Sequence, residues 1–531
     1  MSMPIMKTIG AAEDGAVRHR PTETNALAAE LKSTDHDTRA LAKHGKRQQL
    51  NRTFGFISAV AFSSILLTSW EAIAVTIENG FENGGPVALI YGLILSWIGT
   101  MTLCLSLAEM ASMAPLASAQ YHWAAMFTRA SGSHLPSWVA GWLTVFAWQA
   151  NIASVGYLIA RQIQGIVVLN HESYTPERWH GTLIFWAVVV VSTCVNVFGI
   201  KILPQLEILA GVLHICLWFV WLVPLVYLLP QRSASWVFTD FENNSGWKSD
   251  GVSWCLGLLT VTYPFIGFEG VCHISEEIEN AAMTVPRSMV LSLAINGLLG
   301  FGFLIGLLFS TTDIEAAMKS PTGSPIIQLL YDAVQSKSAT SAVVSLFLVL
   351  GLCGEMGMIA STSRLTWSFA RDNGLPLSRI FARVNRAYGI PINAILLNAT
   401  VAMLLNLIYI ASPTAFSAII SLTTLSLYCS YVFPIVILVF WRVKGRAPPT
   451  GPFNLGRFGL VINILGILWG VFTIIFVILP KEMPVTAENM NYAPAVFGAA
   501  LVLSLSLWFL YGKKVYRGPI NETGEEAILL E

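Results

Sequence analysis

A chain of 531 residues that is 54% hydrophobic and 12% charged falls well outside soluble domains, in which about 25% of residues are charged. Its formal net charge of zero points to no nucleic-acid partner, and its seven cysteines all lie in or beside apolar runs, so no disulfide framework of loops is implied. With no phosphate-binding loop, no paired histidines and no nucleophile–base spacing, an ATP-driven pump and a membrane enzyme are both unsupported, and no metal or cofactor is called for.

Residues 1–53 are charged and polar, without the apolar core of a signal peptide, and read as a disordered cytoplasmic tail; a short helix around Asn25–Gln49 is the alternative. Twelve apolar runs follow, near 54–79, 87–111, 137–160, 181–199, 204–229, 253–278, 288–310, 341–363, 391–410, 414–440, 458–479 and 493–511. A helix crosses a bilayer with roughly 20 such residues, so 54–512 reads as one all-α membrane domain of twelve transmembrane helices. Residues 513–531 form a second cytoplasmic tail, whose end, Glu525 to Glu531, resembles an acidic dileucine sorting signal. With both tails in the cytoplasm, 24 of the 31 Lys and Arg residues fall inside and 7 outside, the asymmetry that membrane insertion favours. In that orientation Asn243 of Asn243-Asn244-Ser245 is a glycosylation candidate in the outside loop between the fifth and sixth runs.

The first run carries small polar residues and an acid at mid-length: Ser63, Ser64, Thr68, Ser69, Trp70 and Glu71. The sixth reads Thr262-Tyr263-Pro264-Phe265-Ile266-Gly267-Phe268-Glu269-Gly270, where Pro264 removes a helical hydrogen bond and two glycines loosen the backbone. A carboxylate at that depth costs about 2.5–3.5 kcal/mol or more, so it ordinarily faces a cavity with a task. Weak points in spans one and six are the sequence pointer to an inverted repeat of five plus five helices, with broken helices meeting at the midplane. Glu269 would offset the positive end of the inner half-helix, which tilts the site toward a cationic amine.

Around these two breaks the candidate substrate contacts are Ser64, Thr68, Trp70, Glu71, Tyr263, Phe265, Gly267, Phe268 and Glu269, together with Glu355 in the eighth run. The aromatic members could hold an ammonium by cation–π contact, though aromatic residues also simply fill helix interfaces. Glu269, Glu355 and His214 are candidate proton carriers, and each has the competing reading of a satisfied structural residue. Glu276, Glu277 and Arg287 gather at the inner end of the sixth run, where a cytoplasmic gate and fold-locking ion pairs would both explain them.

Several longer blocks carry a resemblance. Residues Glu109 to Trp123 resemble the E-x-x-S-x-x-P-x-x-G-G-Q-Y-x-W block of the amino acid/choline permeases, within the amino acid–polyamine–organocation superfamily. Ser368 to Ser378 resemble that family's loop after span eight, and Glu269 to Glu277 with Pro286 resemble its sixth span. Shorter matches occur at Thr322 to Ile326, Pro484 to Thr486 and Asn489 to Tyr492, so the similarity runs from about 54 to 512 and is nearest to fungal choline and GABA permeases. The resemblance implies a LeuT-like fold, with core helices over about 54–440 and peripheral helices over about 458–511. It also implies solute import across the plasma membrane or, less often, an organelle membrane, coupled to protons as in fungal relatives, and the expected solute is an amino acid, GABA, choline or a polyamine. Three departures stand out: a serine- and threonine-bearing first break, Ser118-Ala119 before Gln120 in place of two glycines, and the additional acid Glu355. The competing functional readings are an exporter or exchanger of an amine-type metabolite and a nutrient-sensing receptor on a transporter fold.

Overall fold

The computed structural model describes residues 37–128, 133–171, 173–311, 314–446 and 448–523. Twelve of its helices are long and apolar enough to cross a bilayer. In chain order, spans one to six are Phe56–Thr76, Gly85–Met113, Leu135–Asn170, Arg178–Phe198, Leu203–Leu228 and Asp250–His273. Spans seven to twelve are Ala281–Ser310, Lys337–Arg371, Ile392–Ala411, Pro413–Val443, Gly456–Val477 and Ala493–Val515. Among the described residues there are isolated β-bridges and no strand, so the fold is all-α.

The helix starts have local causes. Spans two, three, five, ten and twelve open with proline in the first turn (Pro86, Pro136, Pro204, Pro413, Pro494), where the missing N–H lacks a partner anyway. Ser249, Ser336 and Ser412 cap spans six, eight and ten by accepting the N–H groups of Val252, Ala339 and Ala415. Spans one and six alone are interrupted near mid-length. Span one is Phe56–Leu67 followed by Ser69–Thr76, with Thr68 between them at φ 39°. Span six is Asp250–Thr262, a single turn Tyr263–Phe265, extended Ile266, Gly267 at φ 87°, then the short helix Gly270–His273.

Span one packs on spans five, seven and eight, and span three on spans eight and ten. Both breaks thereby lie among spans three, five, seven, eight and ten. Span eleven lies against two and ten, and span twelve lies against three and ten with most of its surface exposed.

The tails depart from expectation. Residues 37–43 form a helix, and Leu41, Leu50 and Phe54 are buried, so 37–53 is a docked segment and no disordered tail. Polar side chains of the segment are paired where they enter the interface: buried Lys46 with Asp372, half-buried Arg52 with Asp37 at 3.7 Å, and half-buried Gln48 with the Glu276 carbonyl at 2.8 Å. The C-terminal segment is docked as well, with Tyr516 buried and its hydroxyl 2.6 Å from that of Ser137. The Glu522 N–H donates to the Gly45 carbonyl at 2.6 Å, so both chain ends lie on one side of the bundle, called here the tail side. Residues 1–36 and the dileucine-like sequence at 525–531 lie outside the described residues.

Candidate functional site

The interruption in span one follows from where its hydrogen bonds go. The Ser69 N–H, which a continuous helix would aim at Ile65, donates to Asn296 Oδ1 of span seven at 3.1 Å. The same Asn296 accepts from the Ser69 hydroxyl at 2.7 Å and donates to the Ser64 carbonyl at 3.3 Å. One amide therefore bridges both sides of the break and fixes Ser64 and Thr68. In span six the missing N–H of Pro264 ends the outer half. Gly267 then takes a left-handed φ that favours glycine, and its N–H donates to the Tyr431 hydroxyl of span ten at 3.2 Å. Gly270 permits a second close approach, since a Cβ there would stand 2.4 Å from Leu66 and 2.6 Å from Trp148.

Glu269 is fully buried at the start of the inner half-helix. Its carboxylate accepts from Trp148 Nε1 at 3.1 Å and from the Tyr431 hydroxyl at 2.5 Å. Two neutral donors thus hold it, and no cation pairs with it among the described ion pairs. Phe268 packs on Tyr431 with ring centroids 5.0 Å apart, and Phe265 is buried in the same core.

A cavity of about 630 Å³, open mouth included, lies on the other side of these breaks from the tails. Thr68, Glu71, Asn151, Gln162 and Tyr263 supply its polar wall, and Leu67, Val155, Pro264 and Phe347 are among its apolar lining. A second cavity shares Leu158 and Tyr263 with it and continues past Ser154 and Thr424 to Asn83 and Asn491 on the far side. The lining of the first cavity contains one carboxylate and neither Lys nor Arg, which suits a solute bearing an ammonium group better than an anion.

The candidate residues separate into those on this wall and those behind it. Thr68, Glu71 and Tyr263 are on the wall. Glu71 Oε1 lies 2.5 Å from His214 Nδ1 of span five, while Glu71 Oε2 and His214 Nε2 have no partner, so these two form one unit. Trp70 turns away from the cavity. Its Nε1 donates to the His214 carbonyl at 3.2 Å and its ring packs on Phe303 and Phe347. Glu355 shares the helical stripe of Gly351 and Met358, but its carboxyl is buried beside Gly156 and Phe185 with neither oxygen bonded. Ser64, Phe265, Gly267, Phe268 and Glu269 shape the breaks without lining the cavity.

The tail side is sealed. Arg371 donates to Glu276 through two nitrogens at 2.7 and 3.1 Å, and Arg364 to Glu277 at 2.6 and 3.3 Å, all four side chains being buried. These pairs tie the inner end of span six to span eight. Arg287, grouped with them in the sequence, instead points outward from the first turns of span seven, and its exposed guanidinium joins none of the described ion pairs. Asn243 sits in the far-side loop between spans five and six, its amide donating to Trp247 O at 2.9 Å and Asp250 Oδ1 at 3.0 Å.

Sequence reasoning missed Trp148, Tyr431, Asn296 and Glu207. The last is a buried span-five carboxyl beside Gly357 of span eight, with neither oxygen bonded. An acid in an apolar run was the available signal for Glu207, and a lone amide among apolar residues was the signal for Asn296.

Comparison with known proteins agrees with this architecture. The family model described as "Amino acid permease" matches residues 54–501. A protein of Saccharomyces cerevisiae named choline transporter is 30% identical, covering 93% of this chain and 87% of its own. Amino-acid permease BAT1 of Arabidopsis thaliana is 31% identical, covering 91% and 96%. Amino-acid permease 2 of Neurospora crassa is 28% identical, covering 94% and 92%.

Proposed function

The chain belongs to the amino acid permease family, and on that premise we propose that it imports a small amine-bearing solute across the plasma membrane by proton symport, with both tails in the cytoplasm. The solute class is an amino acid, GABA, choline or a polyamine. Relatives named for amino acids and for choline support those two members of the range, and the LeuT-like reading is supported by interruptions in spans one and six alone.

The observation that carries the reading is the placement of Glu71 on the cavity wall, next to Thr68 at the span-one break, with buried His214 bonded to it from behind. The solute's ammonium would lie against Glu71, with Thr68, Asn151 and Tyr263 completing the polar contacts. A proton shared between Glu71 and His214 alters the charge of that wall when it is gained or lost, which links solute binding to protonation. Glu269 and Glu355 are further acids for the proton path. Release toward the tails requires Arg371 and Arg364 to part from Glu276 and Glu277, so those pairs act as the gate.

The test is uptake in a permease-deficient cell, with labelled choline, GABA, spermidine and amino acids competing, with and without a protonophore. One solute class should accumulate and the protonophore should abolish it. Glu71→Gln should remove the proton dependence while the protein still reaches the membrane. Unchanged proton-driven uptake in Glu71→Gln overturns the role given to the pair.

A further inference from the structure

The charged cluster on the tail side extends beyond the two pairs that join span six to span eight. Glu522, in the C-terminal segment, places Oε1 3.5 Å from Arg371 Nε and 4.0 Å from Lys46 Nζ. Lys46, from the N-terminal segment, pairs with Asp372. Asp372 also accepts from the Tyr121 hydroxyl and from the Ile520 N–H, each at 2.9 Å. Backbone bonds reinforce the arrangement: the Glu522 N–H reaches the Gly45 carbonyl at 2.6 Å and the Arg47 N–H reaches Glu522 Oε2 at 3.1 Å. The N-terminal segment grips span six in turn, since the N–H groups of Thr53 and Phe54 donate to the Glu277 carbonyl at 2.9 and 3.0 Å. The C-terminal segment therefore bridges the end of span eight and the segment that holds span six.

Charge counting separates the carboxylates from the cations, and contact length and exposure then single out Glu522. The cluster holds three carboxylates (Glu276, Asp372, Glu522) and two cations (Arg371, Lys46). Without Glu522 it is balanced two against two. Without Lys46 or Arg371 a buried carboxylate would be left unpaired, which is strongly unfavourable. Glu522 also has the longest contacts of the five and the most exposed side chain, at 16% against 5% or less for the others. It is the most loosely held of the carboxylates, and it can leave without stranding a charge.

We infer that residues 516–523 form a releasable strap over the tail-side gate, and that Glu522 is a positioning residue that keeps Arg371 on Glu276. With the strap docked, Arg371 is drawn to Glu276 on one side and Glu522 on the other, and spans six and eight stay joined. With the strap released, Arg371 keeps one acidic partner, and opening to the tail side needs one fewer ion pair broken. The tails thus set how often the gate opens. This rests on the gate described under the proposed function, but its test needs no transported solute.

Ser361, buried, donates to the Gly270 carbonyl at 3.0 Å between span eight and the inner half of span six, so a cysteine there reports opening of the gate. Full-length Ser361→Cys protein would be reconstituted in vesicles and exposed on the tail side to an impermeant thiol reagent, with labelling read at position 361 by mass spectrometry. Adding Glu522→Gln should raise the labelling rate on the order of twofold to fivefold, the effect expected from losing one partly exposed ion pair. Glu522→Asp, which keeps the charge, should return the rate toward that of the parent. Truncation after Gly518 should match or exceed the Gln variant. Equal labelling in parent and Glu522→Gln at equal thermal stability overturns the inference, whether or not the truncated chain folds. A fall in thermal stability with unchanged labelling overturns it equally, because that is what a purely structural glutamate would give. If instead labelling responds and no amine is carried, the strap stands and the solute assignment fails.

Discussion

The breaks in spans one and six are built differently, although each is tied by side chains from other spans. In span six the left-handed residue is Gly267, which carries no penalty there, and the loose end is tied by Tyr431 to an acid of the same break. In span one the left-handed residue is Thr68, a β-branched residue for which that conformation costs about 1–2 kcal/mol, and the tie is the neutral Asn296. Thr68 lines the cavity, whereas Gly267 and Glu269 lie behind its wall. Strain retained beside a cavity marks the segment that can relax when its contacts change. Span one is then the responsive break and span six the splinted one.

Breaking the span-six splint should have the largest effect. Glu269→Ala leaves the Trp148 and Tyr431 donors buried and unpaired, at roughly 1–3 kcal/mol each, and should abolish both thermal stability in detergent and uptake. Tyr431→Phe removes one hydroxyl that serves both Glu269 and Gly267, and a loss of about 1–3 kcal/mol should appear as a lowered unfolding midpoint. Gly267→Ala asks a Cβ to sit at φ 87° in ordinary contact with Trp148 at 3.7 Å and the Leu66 carbonyl at 3.8 Å, so with no clash the cost should be strain alone, about 1–2 kcal/mol. Thr68→Gly should move the other way. Relief of strain exceeds the added freedom of the unfolded chain, and the midpoint should rise by up to about 1 kcal/mol equivalent while uptake falls. A lower midpoint in Thr68→Gly would erase the distinction between the two breaks.

The smallest effect lies at the tails. His44 and His122 meet edge to face with ring centroids 5.9 Å apart, and burial holds both imidazoles below the usual 6.5. A histidine whose folded value is lowered contributes stability that is complete above the unfolded value and is lost as the pH falls through the folded one. The protection of residues 41–46 against hydrogen exchange, relative to the intrinsic rate at each pH, should therefore fall as the pH drops below 6.5, and His122→Gln should flatten that response.

What the sequence disclosed follows the same division. Twelve spans and both breaks were readable because Pro264, Gly267 and the polar run from Ser63 to Glu71 contradict an apolar helix at known depth. The partners were not, since Trp148 and Tyr431 look like any aromatic in an apolar span, and only the packing of three and ten against six gives them a role. Glu71 and His214 were each visible, but not their union, because 143 residues separate them. The docked tails were hidden for a different reason. Lys46 and Asp372 are polar residues buried by pairing, and composition reads such residues as solvated.

The hydrogen bond between the Glu522 N–H and the Gly45 carbonyl also carries a consequence for biosynthesis. It joins the first described segment of the chain to the last, so it forms only after every span has been translated and inserted. Until Glu522 has been made, the tail side of a nascent permease therefore stands unfastened, with Lys46 and Asp372 in place but their C-terminal partner absent. Translation of Glu522 and the fastening of that side are thereby coupled, and a product that stops short of Glu522 lacks the bond.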